Sequence, residues 1–173
     1  NFTWDSISDK VENKLSLQKE LGLPQRAETP MIGLISRLTH QKGCDLIVSI
    51  IDRLLQKDIQ FIVLGTGDYW YEETFKNLQY RYPDKVSANI KFDNSLAHKI
   101  YAATDMFLMP SLFEPCGLSQ MMSLRYGTIP LVRETGGLKD SVEPYNEFEN
   151  TGMGFSFTNY NAHEMMDIID YAL

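Results

Sequence analysis

Arg37 and Lys42 lie in Ser36-Arg37-Leu38-Thr39-His40-Gln41-Lys42-Gly43, directly after the apolar run Met31-Ile32-Gly33-Leu34-Ile35. Two cations at a strand's carboxyl end, just ahead of a helix with unpaired N–H groups, suit a phosphate or diphosphate. The same pair also reads as solvated surface, and this segment alone leaves both readings open. A second segment is more pointed. In Ser111-Leu112-Phe113-Glu114-Pro115-Cys116-Gly117-Leu118-Ser119-Gln120 a carboxylate is held by Pro115 and Gly117 at a strand–helix junction. Folding gains little from Glu114 there, beyond a helix N-terminal charge of ~0.3–1 kcal/mol. The carboxylate is well placed to accept hydrogen bonds from a polyol, while the N–H groups of Gly117, Leu118 and Ser119 meet an anion.

Other candidates are weaker. Gly65-Thr66-Gly67-Asp68 follows a strand, and its glycines permit close approach of a ligand, although a plain turn is the preferred reading of them. Cys116 invites a nucleophile reading, but no activating base stands beside it, so pocket lining is the preferred role. His40 reads as a solvent-edge residue. Met121-Met122, with Leu118 and Leu124, reads as core packing of a helix.

These residues need a scaffold that gathers them. Strand-like runs at Met31–Ile35, Gln60–Leu64, Ala88–Phe92, Met106–Met109, Thr128–Val132 and Gly154–Phe157 alternate with helical patterns. The helices are expected at Cys44–Gln56, Tyr69–Tyr82, Ser95–Ala103, Gly117–Tyr126 and Ala162–Leu173. Such alternation predicts an α/β fold with a Rossmann-like, parallel six-stranded sheet covered on both faces. Right-handed crossovers put every strand's carboxyl end on one edge, where the motif loops meet. Val11, Leu15, Leu17 and Leu21 predict a short amphipathic helix closed by Gly22. Residues 1–10 read as a linker. The division is therefore 1–25 for linker and entering helix and 26–173 for the main domain. The last helical pattern stops in phase, as if cut from something longer.

The 173-residue chain carries a net charge of −7, with 43% hydrophobic and 23% charged residues. That balance disfavours nucleic acid or an anionic membrane as the main partner. No apolar run approaches the ~20 residues of a membrane span, and the start lacks the zones of a signal peptide, so a cytoplasmic location is expected. Neither the two cysteines, Cys44 and Cys116, nor the three histidines have ligand spacing, and no D-x-D pair is present. No metal site is read, and no cofactor.

Taken together, S-R-L-T-H-Q-K-G at 36–43, G-T-G-D at 65–68, F-E-P-C-G-L-S-Q at 113–120 and Y-G-T-I-P-L-V-R-E-T-G-G-L-K-D at 126–140 resemble the carboxyl-terminal half of bacterial glycogen synthases and plant starch synthases. These are retaining glycosyltransferases of the two-Rossmann-domain (GT-B) type, and the motifs cover nearly the whole chain. The resemblance implies a nucleotide-sugar-binding domain over 26–173 and glucose transfer from ADP-glucose to the 4-hydroxyl of an α-1,4-glucan. The glucan would be held mainly by an amino-terminal domain absent from this chain, so the chain alone is expected to be inactive. Arg37 and Lys42 match the pair that binds the donor diphosphate, and Glu114 the carboxylate near the donor sugar. Gly65 would lie near the ribose, and Phe92 stands where relatives stack a Tyr on adenine. Cys116, Gly117, Leu118 and Ser119 would line the phosphate side, and Thr135, Gly136 and Gly137 would touch the sugar or phosphate. In relatives with an E-x7-E pattern a second glutamate handles the ribose; here that position is Met122, which favours the glycogen and starch synthases. Two rivals stand: a transferase using UDP-glucose or another acceptor, and a nucleotide-binding module without turnover.

Overall fold

The computed structural model describes residues 4–173. Six parallel strands form one sheet: β1 (Met31–Ile35), β2 (Gln60–Leu64), β3 (Val86–Asn89), β4 (Met106–Met109), β5 (Ile129–Arg133) and β6 (Phe155–Phe157). Their order is β3-β2-β1-β4-β5-β6. This is the doubly wound arrangement in which the chain reverses direction across the sheet between β1 and β4.

Period-two alternation sorts the strand side chains onto two buried faces. Ile32, Leu34, Phe61, Val63, Met106, Leu108 and Leu131 join one core with α2 (Cys44–Leu54), α3 (Tyr69–Arg81) and α7 (Ala162–Ala172). On the other face Met31, Ile62 and Leu64 meet α1 (Lys10–Glu20) and α4 (Asn94–Ala103). Phe107, Met109 and Val132 lie beside Tyr101 of α4 and Leu138 of α6 (Gly136–Ser141). Burial on both sides is why these strands read as continuous apolar runs. The helices start where local chemistry permits. Asp93 caps α4 by accepting the Leu96 N–H at 2.9 Å, and Asn161 Oδ1 caps α7 by accepting from His163 and Glu164. Among the described residues no helix is long and apolar enough to cross a membrane.

The expected sheet is present, but α6 is a helix beyond those expected, β5 and β6 each begin one residue later than expected, and further details differ. The third strand is Val86–Asn89 rather than Ala88–Phe92, because its register is dictated by pairing Phe61 with Val86 and Leu64 with Asn89. The linker expected over 1–10 lies partly outside the described residues; from Trp4 to Asp9 the chain winds as a 3-10 helix leading into α1. Finally, α1 buries Leu17 of the predicted stripe together with Lys14 and Gln18, while Leu15 and Leu21 are half-buried and Val11 is exposed. Lys14 is tolerated inside because its ammonium binds Asp105 at 2.8 Å and the Ala27 carbonyl at 2.8 Å. Gln18 is satisfied by Gln60 Oε1, the Arg26 carbonyl and the Arg26 N–H.

Candidate functional site

The reversal between β1 and β4 leaves a crevice at the strands' carboxyl ends, and two loops flank it. One, 36–43, leaves β1; the other, 110–118, leaves β4 and leads to α5 (Ser119–Arg125). They are tied together by the Leu112 N–H donating to the Gln41 carbonyl at 2.9 Å. Gly43 permits the approach: its φ is +79°, and a Cβ there would run into the Pro110 carbonyl.

Glu114 sits between them, only 9% exposed. Its Oε2 accepts from Lys42 Nζ at 2.5 Å and from Ser111 Oγ at 3.3 Å. Oε1 accepts no hydrogen bond from the described residues, and Glu114 lines the cavity between the two loops. The Glu114 carbonyl accepts the Gly137 N–H at 3.1 Å. Gly136, at φ +47°, lies so close to that carbonyl that any Cβ would collide with it. The guanidinium of Arg37 is exposed and has no partner among the described residues.

Arg37, Lys42, Ser111, Glu114, Gly117 and Ser119 line a cavity of about 230 Å³ that carries two cations and one carboxylate. Its chemistry suits a ligand with an anionic end and a hydroxylated end. A second cavity of about 410 Å³ shares Arg37, Leu118 and Ser119 and extends to Gly65, Phe92, His98, Tyr101 and Met122. Phe92 stands at its rim, 94% exposed, with a free ring face. His98 Nδ1 lies 2.9 Å from the Tyr126 hydroxyl. Burial raises the Tyr101 phenol above its usual pKa, so it stays a neutral hydroxyl.

Arg37, Lys42, Glu114, Gly117, Leu118 and Ser119 are therefore brought to one cavity, and Gly65 and Phe92 to its neighbour. Cys116 is exposed and lines neither; its carbonyl accepts from Gln120 Nε2. Thr135, Gly136 and Gly137 also lie outside both linings, at the start of α6 over the Glu114 loop. The core role expected for Leu118 and Met121 fails: they are 75% and 51% exposed, because α5 turns Gln120 and Ser123 inward instead. His98, Tyr101 and the Ser111 hydroxyl were not singled out in the sequence. His98 and Tyr101 are three apart on α4, a spacing that shares a helix face, and that was the signal available. Among the described residues no cluster of three metal-ligating side chains occurs.

Comparison with known proteins places the chain in a family. Residues 18–173 match the family described as Glycosyl transferases group 1. Glycogen synthase of Clostridium perfringens is 65% identical over the whole chain, which spans 36% of that protein. Glycogen synthase of Lachnospira eligens is 63% identical over 95% of the chain and 34% of its own length. The catalytic domain of Arabidopsis thaliana starch synthase IV, solved with ADP and acarbose, superposes with a TM-score of 0.91 at 37% identity, covering 99% of this chain and 36% of that one. The chain thus spans about a third of the length of the proteins it matches and is a member of the group 1 glycosyl transferases.

Proposed function

We propose that this chain is the donor-binding part of an α-1,4-glucan synthase that moves glucose from ADP-glucose to the 4-hydroxyl at a glucan's non-reducing end, with retention. The observation that carries the reading is the convergence of Arg37, Lys42 and Glu114 on one cavity at the β1/β4 crevice. The names of similar proteins support it: a glycogen synthase at 65% identity, and a starch synthase bound to ADP and acarbose.

In this reading the donor diphosphate lies against Arg37 and Lys42, and its nucleoside enters the second cavity, with the base on the Phe92 ring. Glu114 Oε1 accepts hydroxyls of the glucose. As the bond from C1 to the phosphate oxygen breaks, its electron pair stays on the diphosphate, where the two cations stabilise it. The acceptor oxygen bonds C1 from the same face, and its proton passes to the departing phosphate. Positive charge comes from side chains, and the proposal includes no resident metal. The glucan is held chiefly by the part of the protein outside this chain, and closure of the two parts completes the site.

The test is glucosyl transfer by the full-length protein onto a maltooligosaccharide, with ADP-glucose and UDP-glucose side by side and excess chelator present. Elongation from ADP-glucose is expected. No elongation from either donor overturns the reading, and a higher kcat/KM with UDP-glucose overturns the choice of base.

A further inference from the structure

We propose that Arg133 is a positioning residue for this transfer, setting the place of Glu114 opposite Lys42 without touching either; the proposal rests on the reading of the site given above. Arg133 closes β5 and lines neither cavity. Its Nε donates to the Ser111 carbonyl at 2.9 Å, its Nη2 to the Leu112 carbonyl at 2.7 Å and its Nη1 to the Thr158 carbonyl at 3.1 Å. Ser111 and Leu112 begin the irregular segment that carries Glu114, and that segment has no strand or helix ladder to hold it. A planar fork fixes the direction of both carbonyls together, which a single ammonium does not.

The anchor reaches the other side of the crevice as well. The Arg133 guanidinium lies over the Tyr160 ring, 5.6 Å from its centroid. The Tyr160 hydroxyl donates to Asp45 Oδ1 at 2.5 Å, and the His40 carbonyl lies 3.1 Å from the Tyr160 hydroxyl oxygen. His40 Nδ1 lies 3.2 Å from Asp45 Oδ1. Asp45 and His40 flank the loop end that bears Lys42. Arg133 therefore braces the glutamate loop directly and the lysine loop through Tyr160. Leu112 completes the circuit, its carbonyl held by Arg133 and its N–H by Gln41.

The experiment compares Arg133→Met, Arg133→Lys and Tyr160→Phe with the wild type in the full-length protein, by steady-state kinetics and amide hydrogen exchange. Arg133→Met should lower kcat on the order of 10- to 100-fold, the size expected when a reacting group is misplaced by a fraction of an ångström to an ångström. Donor KM should stay within about threefold, since no ground-state contact is lost. Exchange at the Leu112 and Gly137 amides should quicken about tenfold or more as the loop loosens. Arg133→Lys should recover part of kcat, and Tyr160→Phe, which keeps the ring, should show a smaller loss in the same direction. If Arg133→Met does not fold, the other two variants carry the same readouts. Unchanged exchange at both amides overturns the proposal, whatever happens to turnover. So does a raised donor KM with kcat intact, which would make Arg133 a binding residue. A wild type that transfers no glucose counts against the proposed function, and the exchange arm then still decides the positioning role.

Discussion

Lys42 Nζ lies 2.5 Å from Glu114 Oε2, joining side chains 72 residues apart across the β1/β4 crevice. Their side chains alone are 20% and 11% exposed, whereas Arg37, on the same cavity, is open to solvent. The proposed chemistry treats Arg37 and Lys42 alike, but their structural settings differ. Replacing either with Ala in the full-length protein should cost roughly 2–4 kcal/mol of transition-state stabilisation, or about 10²–10³ in kcat. Only Lys42→Ala should also lower folding stability, by ~1–3 kcal/mol, because it leaves a shielded carboxylate without its cation. Arg37→Ala should leave stability within about 0.5 kcal/mol. Turnover and thermal unfolding of the two variants check this; near-normal turnover in both would remove them from the site.

Phe92 separates binding from folding in the opposite way. With 94% of its surface exposed, it contributes little to the core. Phe92→Ala should leave the unfolding temperature unchanged and weaken ADP binding by ~1 kcal/mol, about fivefold, through loss of a stacking face. Phe92→Tyr should bind at least as well as the wild type. Titration of the 173-residue chain with ADP and UDP, followed by calorimetry, provides the measurement. Tighter binding of UDP would contradict the assigned donor.

What the sequence made legible depended on how local each cause is. β1, β2 and β4 were readable to the residue because strands buried on both faces need nothing but apolar side chains between turns. The edge strand β3 was misplaced by two residues at its start and three at its end because its bounds come from pairing with β2, not from its own pattern. α6 was not among the expected helices: it opens on Gly136-Gly137, poor helix formers, and exists because those glycines let its start lie on the Glu114 and Cys116 carbonyls. Lys14, on the buried face of α1, was hidden for the same reason, since it becomes a core residue only through Asp105, 91 positions away. At the site, Arg37, Lys42 and Glu114 were visible as charges without a folding purpose. Arg133 was not, because its partners are backbone carbonyls that no sequence pattern marks.

The two thiols should behave differently towards an alkylating or disulfide reagent at pH 8. Burial pushes the Cys44 thiol up to about 12, so the reactive thiolate is scarce and shielded. Cys116 is exposed. The native 173-residue chain should therefore titrate one thiol fast and the second only on unfolding, and Cys116→Ser should abolish the fast phase. The full-length Cys116→Ser enzyme should keep more than about a tenth of its kcat, since a covalent nucleophile would cost several orders of magnitude. The raised Cys44 value also sets a pH slope. Between pH 9 and about 12 the unfolded chain loses this proton and the folded one keeps it, so the Cys44 contribution to stability falls as pH rises there.

Lys14 offers a test of the scaffold apart from the chemistry. Its ammonium is held by Asp105 Oδ2 and the Ala27 carbonyl, each at 2.8 Å, and the same Asp105 oxygen accepts the Met31 N–H at 2.7 Å. One carboxylate thus ties α1 to the first residue of β1 and the approach to β4. Lys14→Met keeps the aliphatic stem and removes the charge, leaving the Ala27 carbonyl and Asp105 short of a donor. The cost should be ~1–3 kcal/mol, the range for losing the charge-assisted hydrogen bonds of a buried ammonium, although the Asp105 side chain, 41% exposed, can be reached by water. In a domain of this size, that corresponds to about 3–10 °C in unfolding temperature. Because the pair lies at the amino ends of β1 and β4, opposite the edge that carries Arg37 and Glu114, kcat in the full-length protein below the transition should stay within about twofold of wild type. An unchanged unfolding temperature would show that Asp105 is satisfied by Met31 alone, and a large loss of kcat in a protein that remains folded would show that α1 reaches the site.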